Sequence, residues 1–147
     1  MSATVFDPKA VEVGDIGAVM MEKITNPGLR EFMAAKGKED GNLSAIVVDD
    51  SDNMGVGVGT WDAGQNTTNP VPLMFDEVLF IVEGRFWLEI EGERQDIEEG
   101  QCAHLAAGQF VRFGSDDGCR LVWVTSPPTW VALQRAFEEG KMGGVKP

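Results

Sequence analysis

Short strand-like segments, broken by turns that contain glycine, aspartate, asparagine or proline, occupy most of residues 42–127. Many short strands at such close spacing favour a sandwich or barrel over a fold built on helices. The segments with strand character are 44–49, 54–61, 77–83, 85–91, 94–97, 101–105, 110–113 and 120–125. We therefore predict an all-β domain, and the chain length of 147 residues is enough for one such domain to bury a core.

Two of these segments alternate strictly. Within 85–91, Phe86, Leu88 and Ile90 share one face, which we predict to face the core. In GVGVGTW, three glycines precede Trp61 on one face. Glycine weakens a strand unless something must approach it closely, so this row predicts either a cavity beside Trp61 or close packing under a bulky neighbour.

Helical patterns flank the strands. We predict an N-terminal arm over 1–41, a β-barrel over 42–128 and a C-terminal helix with a tail over 129–147, all in one domain. Pro27 suits the first turn of a helix in the arm, and Gly37 can end it. The apolar face of that helix comprises Leu29, Phe32 and Met33, and that of the C-terminal helix comprises Trp130, Leu133 and Phe137.

The charge of the chain excludes two classes of partner. With a net charge of −12 and a pI near 4.4, the protein repels nucleic acid and anionic membrane surfaces. The N-terminus lacks the basic and apolar regions of a signal peptide, and no apolar run has the length of a membrane span. Cys102 and Cys119 are too few for a disulfide framework. We expect a cytoplasmic protein with reduced cysteines.

The spacing of glycines and one glutamate resembles the first motif of the cupin superfamily, G-x5-H-x-H-x(3,4)-E-x6-G. Gly64, Glu77 and Gly84 match the motif, whereas Pro70 and Pro72 stand where it has histidines. The resemblance implies a cupin fold, a double-stranded β-helix or jelly-roll barrel.

The second cupin motif, G-x5-P-x-G-x2-H-x3-N, resembles the stretch that begins at Gly100. Gly108 matches, but Val111 replaces the histidine and Ser115 the asparagine. Cupins bind metal through three histidines and the glutamate, and one carboxylate cannot hold a transition metal at useful affinity. His104 is the only histidine. We therefore expect no metal and no other cofactor.

Three further stretches, MGVGVGTWD, MFDEVLFIVEG and WVTSPPTW, resemble the barrel of the EutQ family of ethanolamine-utilisation proteins. The resemblance covers about 50–132. It implies a metal-free cupin connected with ethanolamine catabolism, and cupins commonly pair as homodimers through edge strands and terminal segments. The family is also tied to acetate kinase activity, which we do not carry over because the chain has no G-x-x-x-x-G-K-[ST] loop.

Glu77 takes the position that points into the barrel in cupins. Without a metal it becomes a carboxyl group in an apolar box, where burial favours the protonated form and suits general acid or base catalysis. Asp76 would join it if a bulge turned both residues inward, and His104 would do so if it faced the interior. Alternation predicts that His104 faces away. The aromatic side chains that would line a ligand pocket, or else be ordinary core, are Trp61, Phe75, Phe110 and Phe113.

Three functions remain open at this point. The first is a metal-independent lyase or isomerase that acts on a small polar metabolite by acid–base chemistry through Glu77. The second is a non-catalytic binding or accessory protein of a catabolic pathway such as ethanolamine utilisation. The third is a structural dimer in which the side chains fill the pocket completely.

Overall fold

The computed structural model describes residues 3–14, 22–36, 53–67 and 70–141. The strand predicted at 44–49, the helix end at Gly37 and the side chain of Met33 lie outside this description. Two helices and eight strands are defined. They are α1 (Pro27–Lys36), β1 (Gly55–Trp61), β2 (Gln65–Asn66), β3 (Val71–Pro72), β4 (Asp76–Ile90), β5 (Glu93–Glu98), β6 (Cys102–Leu105), β7 (Phe110–Ser115), β8 (Cys119–Ser126) and α2 (Thr129–Glu138).

The strands form one curled antiparallel sheet with two halves. In the first half, β8 pairs with β1 and with the start of β4, which in turn pairs with β6. In the second half, the end of β4 lies between β5 and β7, and β7 also pairs with β2 and β3. The predicted all-β architecture is confirmed, and β4 joins its two halves.

The prediction of two separate strands over 77–83 and 85–91 was wrong, because β4 runs unbroken from Asp76 to Ile90. Gly84 sits inside the strand with a positive φ of 79°, just past a register shift between Ile81 and Glu83. A Cβ at this position would overlap the carbonyl oxygen of Gly118. The glycine therefore lets the strand pass from one half of the sheet to the other while a neighbouring backbone lies against it.

The inner face of the sheet forms the core. Leu79 and Ile81 are buried at the start of β4, and Phe86 and Leu88 are buried further along it, as their alternation predicts. The glycine row of β1 faces the same interior, but a Cβ on Gly57 would overlap the indole ring of Trp123. Of the two interpretations of that row, close packing under a bulky neighbour applies at Gly57.

The two terminal segments pack against each other. Asn26 caps α1, since its Oδ1 accepts hydrogen bonds from the backbone N–H of Gly28 (3.0 Å) and Leu29 (3.3 Å). In α2, Gln134 Oε1 accepts hydrogen bonds from the backbone N–H and the hydroxyl of Thr25 at 3.0 and 2.7 Å. The predicted apolar face of α2 is confirmed: Trp130 and Phe137 are buried and Leu133 is half-buried.

An arginine holds the N-terminal arm on the barrel. The guanidinium of Arg120, on β8, donates hydrogen bonds to the carbonyl oxygens of Pro8 (3.1 Å) and Val11 (3.0 Å). As to membranes, no helix in the described ranges is both long and apolar enough to cross one.

Candidate functional site

Glu77 lies on the inner face of β4, between two neighbouring strands. The register places it opposite Leu105 on β6 and Thr125 on β8. Because residues directly opposite in an antiparallel pair share a face, all three line the interior next to Leu79. Leu105 and Thr125 are almost fully buried, and Glu77 is half-buried. The inward direction expected for Glu77 agrees with this register.

In the part of the chain that the structure describes, no charged side chain near Glu77 balances a carboxylate. Burial raises the pKa of Glu77 from 4.5 to about 8, because the apolar surroundings disfavour the ionised form. Among the described residues, none donates a hydrogen bond to its carboxyl group or forms an ion pair with it. Although part of the residue remains accessible, the carboxyl group is mostly protonated at neutral pH.

The structure does not bring Asp76 or His104 to Glu77. The pairing of β4 with β8 is regular from Asp76 to Ile81, so no bulge turns the two acidic residues to the same side. Asp76 is exposed, and its Oδ1 accepts a hydrogen bond from the backbone N–H of Ala107 at 2.8 Å. His104 is exposed opposite Val78, on the outer face. Neither condition under which Asp76 or His104 would join Glu77 is therefore met, and His104 faces away, as the alternation predicts.

The four aromatic side chains predicted to line a pocket lie in three places. Phe75 is half-buried and packs against the core two residues before Glu77. Phe110 is 59% exposed and pairs with the exposed Pro72, so it does not line the interior. Trp61 and Phe113 flank Phe86, with ring centroids 5.3 and 5.9 Å from it.

Trp61 and Glu77 belong to different ends of the interior. Trp61 is opposite Cys119 at the start of β8, whereas Glu77 is opposite Thr125 near its end. Six residues of extended strand separate those two positions, which is about 20 Å. We call the surroundings of Glu77, Leu105 and Thr125 the acid end, and those of Trp61, Phe86, Phe113 and Cys119 the indole end. This separation corrects the expectation that Trp61 helps enclose Glu77.

The indole end is tightly packed. Trp61 is 5% exposed, and its Nε1–H is a buried donor that has no hydrogen-bond partner among the described residues. Burial raises the pKa of the Cys119 thiol to about 11, which makes it a poor nucleophile. Nearby, the hydroxyl of Ser115 donates a hydrogen bond of 2.6 Å to the carbonyl oxygen of Arg85.

The arginines of the described strands all point outward. Arg85 and Arg94 form ion pairs with exposed aspartates, at 3.1 Å to Asp117 and 2.5 Å to Asp116 respectively. Arg112 pairs with Glu89 at 3.1 Å and Arg120 holds the N-terminal arm. The inner face of these strands therefore carries no basic side chain.

The residues at the cupin metal positions do not fit a metal. Pro70 and Pro72 are exposed, Val111 is fully buried, and none of these side chains has a donor atom. The part of the chain that the structure describes contains no group of three or more His, Cys, Asp or Glu side chains that could hold a metal ion.

A concave region lies at the β4–β5 hairpin and was not anticipated from the sequence. It has a volume of about 350 Å³, and Glu77 does not line it. Its lining residues are Leu88, Ile90, Glu91, Glu93, Arg94 and Gln95. No sequence pattern marked this cleft, since it depends on the hairpin closing over the end of the second half of the sheet.

The curled antiparallel barrel with one inward glutamate defines a cupin. Similar solved structures are those of the Clostridium difficile EutQ protein (20% identity, 59% of this chain and 63% of that chain, TM-score 0.54) and of a cupin superfamily protein from Desulfitobacterium hafniense (14% identity, 60% and 79%, TM-score 0.52). At these identities, the likeness shows the fold.

The chain belongs to the EutQ family: the family model described as ethanolamine utilisation protein EutQ matches residues 9–132. The match begins well before the stretch in which the sequence motifs showed the resemblance. Two curated relatives, both named acetate kinase EutQ, are 27% identical (Salmonella typhimurium) and 25% identical (Escherichia coli) over 93 residues. The alignment covers 63% of this chain but only 39% of each relative's length.

Proposed function

We propose that this cupin binds a small polar metabolite at the acid end of its barrel and acts on it by proton transfer through Glu77, as a lyase or isomerase. The observation that carries the proposal is the inward carboxyl group, which has uncharged neighbours and a pKa near 8. The carboxyl group is partly accessible and has no partner among the described residues, which leaves it available to a ligand.

The chemistry follows from the protonation state. General acid–base catalysis is most effective when the pKa of the catalytic group lies near the operating pH. At neutral pH, protonated Glu77 can give a proton to a developing alkoxide or enolate. Its carboxylate form can take a proton from a carbon next to a carbonyl group. The C–H bond breaks, the proton passes to the carboxylate oxygen, and the same carboxyl group returns a proton to another atom.

The curated relatives are named acetate kinases, but the alignment with this chain covers only 39% of each relative's length. The acetate kinase activity therefore does not carry over to this chain. Phosphoryl transfer requires cationic groups around the transferred phosphate. The arginines of the described strands face outward. This charge distribution supports proton transfer as the chemistry of this barrel.

A deuterium-exchange screen tests the proposal without a known substrate. A panel of small hydroxy, amino and keto metabolites is incubated with the protein in D2O, and mass spectrometry detects deuterium at carbon. We expect at least one metabolite to gain deuterium with the wild type and to lose more than 100-fold in rate with Glu77→Gln, as removal of a general acid–base does. Glu83→Gln is the matched control, because Glu83 lies on the same strand and is exposed.

The screen also has outcomes that oppose the proposal. If Glu77→Gln labels the metabolite as fast as the wild type, Glu77 is not the proton carrier. If the wild type labels nothing but binds a panel member, the protein is the second candidate, a non-catalytic binding or accessory protein of a pathway such as ethanolamine utilisation. The outward positions of Asp76 and His104 favour that candidate, since they leave Glu77 without a second proton carrier.

We propose further that the protein is a cytoplasmic homodimer. Val78 and Phe80, on the outer face of β4, are 39% and 38% exposed, which supports an apolar contact between two copies. Light scattering should give twice the monomer mass of 15.9 kDa, and Phe80→Asp should shift it toward the monomer. A monomer mass for the wild type would contradict this proposal.

A further inference from the structure

We propose that the acid end selects small ligands that carry a primary ammonium group and rejects those that carry a carboxylate or phosphate. This proposal rests on the binding role given above to Glu77, and it names the class of ligand. It does not depend on whether chemistry follows binding.

The distribution of charge provides the first argument. A carboxylate or phosphate that enters a largely desolvated site needs an opposite charge, because an unpaired charge loses its hydration without compensation. The arginines of the strands point to the other face, where Arg85, Arg94 and Arg112 already pair with acidic side chains. Of the described ionisable side chains, an anionic ligand at the acid end would meet Glu77, an acid, inside a chain of net charge −12.

The side chains around Glu77 provide the second argument. Leu79 follows Glu77 on the inner face of β4, and Leu105 and Thr125 lie opposite it on β6 and β8. In these uncharged surroundings, the carboxylate of Glu77 is the charge partner that an ammonium ion needs when it leaves water.

Binding of an ammonium ion is coupled to ionisation of Glu77. Among the residues that the structure describes, those on the face of Glu77 are Leu105 and Ala103 on β6 and Thr125 and Trp123 on β8, and Leu79 follows it on β4. None of them is titratable near neutral pH. The carboxyl group therefore gives up one proton when the cation arrives, and affinity must rise with pH until Glu77 is already ionised in the free protein.

The preference can be tested with three ligands that have nearly equal size but different charge: n-propylammonium, 1-propanol and propionate. We expect n-propylammonium to bind at pH 8.5 at least tenfold more tightly than either of the others, by calorimetry or by changes in indole NMR signals. Its affinity should fall about tenfold per pH unit from pH 8 to pH 6, the dependence expected for release of one proton. The propanol affinity should stay flat. Calorimetry in two buffers of different ionisation enthalpy should show one proton released near pH 7.

Two variants locate the site. Glu77→Gln should abolish the preference for the ammonium and the proton release, while its circular dichroism spectrum stays unchanged. Glu93→Gln is the matched control, because Glu93 lines the separate hairpin cleft. Loss of the preference in Glu93→Gln would move the site to that cleft and overturn the proposal.

Other results would also overturn it. These are propionate binding as tightly as n-propylammonium, a flat pH profile, or no measurable binding of n-propylammonium at pH 8.5. Each of them leaves the deuterium-exchange result standing, so failure of the ligand class can be told from failure of the proposed catalysis. Conversely, ammonium selectivity without exchange in any metabolite would leave a selective binding protein.

Discussion

The two ends of the barrel interior each hold a polar group that has no partner among the described residues, but the groups differ in kind. At the indole end it is the neutral N–H of Trp61, which is 5% exposed and lies against Phe86. At the acid end it is the carboxyl group of Glu77, which is half-buried. The N–H of Trp61 costs the folded state one unmade hydrogen bond. The burial of Glu77 also disfavours the ionised form of its carboxyl group.

This difference indicates that the indole end serves packing and the acid end serves binding and proton transfer. The indole end is built from aromatic rings and closely approached glycines, so changes there should appear in stability. At the acid end, Glu77 is the described side chain that changes its protonation state when a charged ligand binds. Changes there should appear in pH dependence and ligand binding. Four predictions test this division, in order of decreasing effect.

Gly84→Ala should destabilise the protein by about 3–5 kcal/mol, because it combines a left-handed backbone with overlap against Gly118. Gly92→Ala is the matched control, with a φ of 80° and no atom within 4 Å of the new Cβ. It should cost only about 1–2 kcal/mol, which is the backbone strain alone. Urea denaturation measures both, and equal losses would show that the close approach at Gly84 is not rigid.

The free energy of unfolding should depend on pH through Glu77. Its pKa of about 8 in the folded protein exceeds 4.5, so the folded state holds one more proton than the unfolded chain between these values. The contribution of Glu77 to the free energy of unfolding is fully present below pH 4.5. It falls by at most about 1.4 kcal/mol per pH unit as the pH rises toward 8, and it does not change further above pH 8. Denaturation at pH 5–9 should show this slope in Glu83→Gln and not in Glu77→Gln. The same slope in both variants would assign it to other groups.

The two cysteines should differ in reactivity. The raised pKa of Cys119, 9.0 to about 11, lowers the thiolate fraction of the folded protein about 100-fold relative to an ordinary thiol at pH 8. Cys102 is exposed on β6. Iodoacetamide should therefore label Cys102 first, with Cys119 protected until denaturant is added, as measured by mass spectrometry of the peptides. Equal labelling of the native protein would mean that the indole end opens readily.

Asp76→Asn and His104→Ala should leave the affinity for n-propylammonium within about twofold, because both side chains lie outside the barrel interior. Asp76→Asn has a conservative geometry, and its amide oxygen can still accept from Ala107. A tenfold loss in either variant, measured by the same calorimetry, would place that side chain at the binding site.

The sequence predicted the elements that depend on local pattern. The alternation of Phe86, Leu88 and Ile90 identified an inner face, and the apolar positions of α2 identified the side that packs. The cupin spacing identified Glu77 as inward. These features repeat with the period of a strand or helix, so neighbouring residues reinforce the signal.

Features that depend on distant residues were not predicted. The predicted strands broke at Gly84, because the residues around it give no indication that the backbone of Gly118 lies against it. Trp61 was expected near Glu77, but the register of β8 sets their separation, and register cannot be deduced from β1 or β4 alone. A bulge before Glu77 would have turned Asp76 inward, but the register shift of β4 lies further along, between Ile81 and Glu83.

The contacts of the N-terminal arm have a consequence for the order of events during synthesis. Arg120 binds Val11, and Gln134 binds Thr25, each across 109 residues of sequence. Residues 11 and 25 therefore leave the ribosome 109 residues before the side chains that hold them. At typical translation speeds of about 5–20 residues per second, the arm stays unattached for about 5–20 seconds, and it can dock only once β8 and α2 have been made.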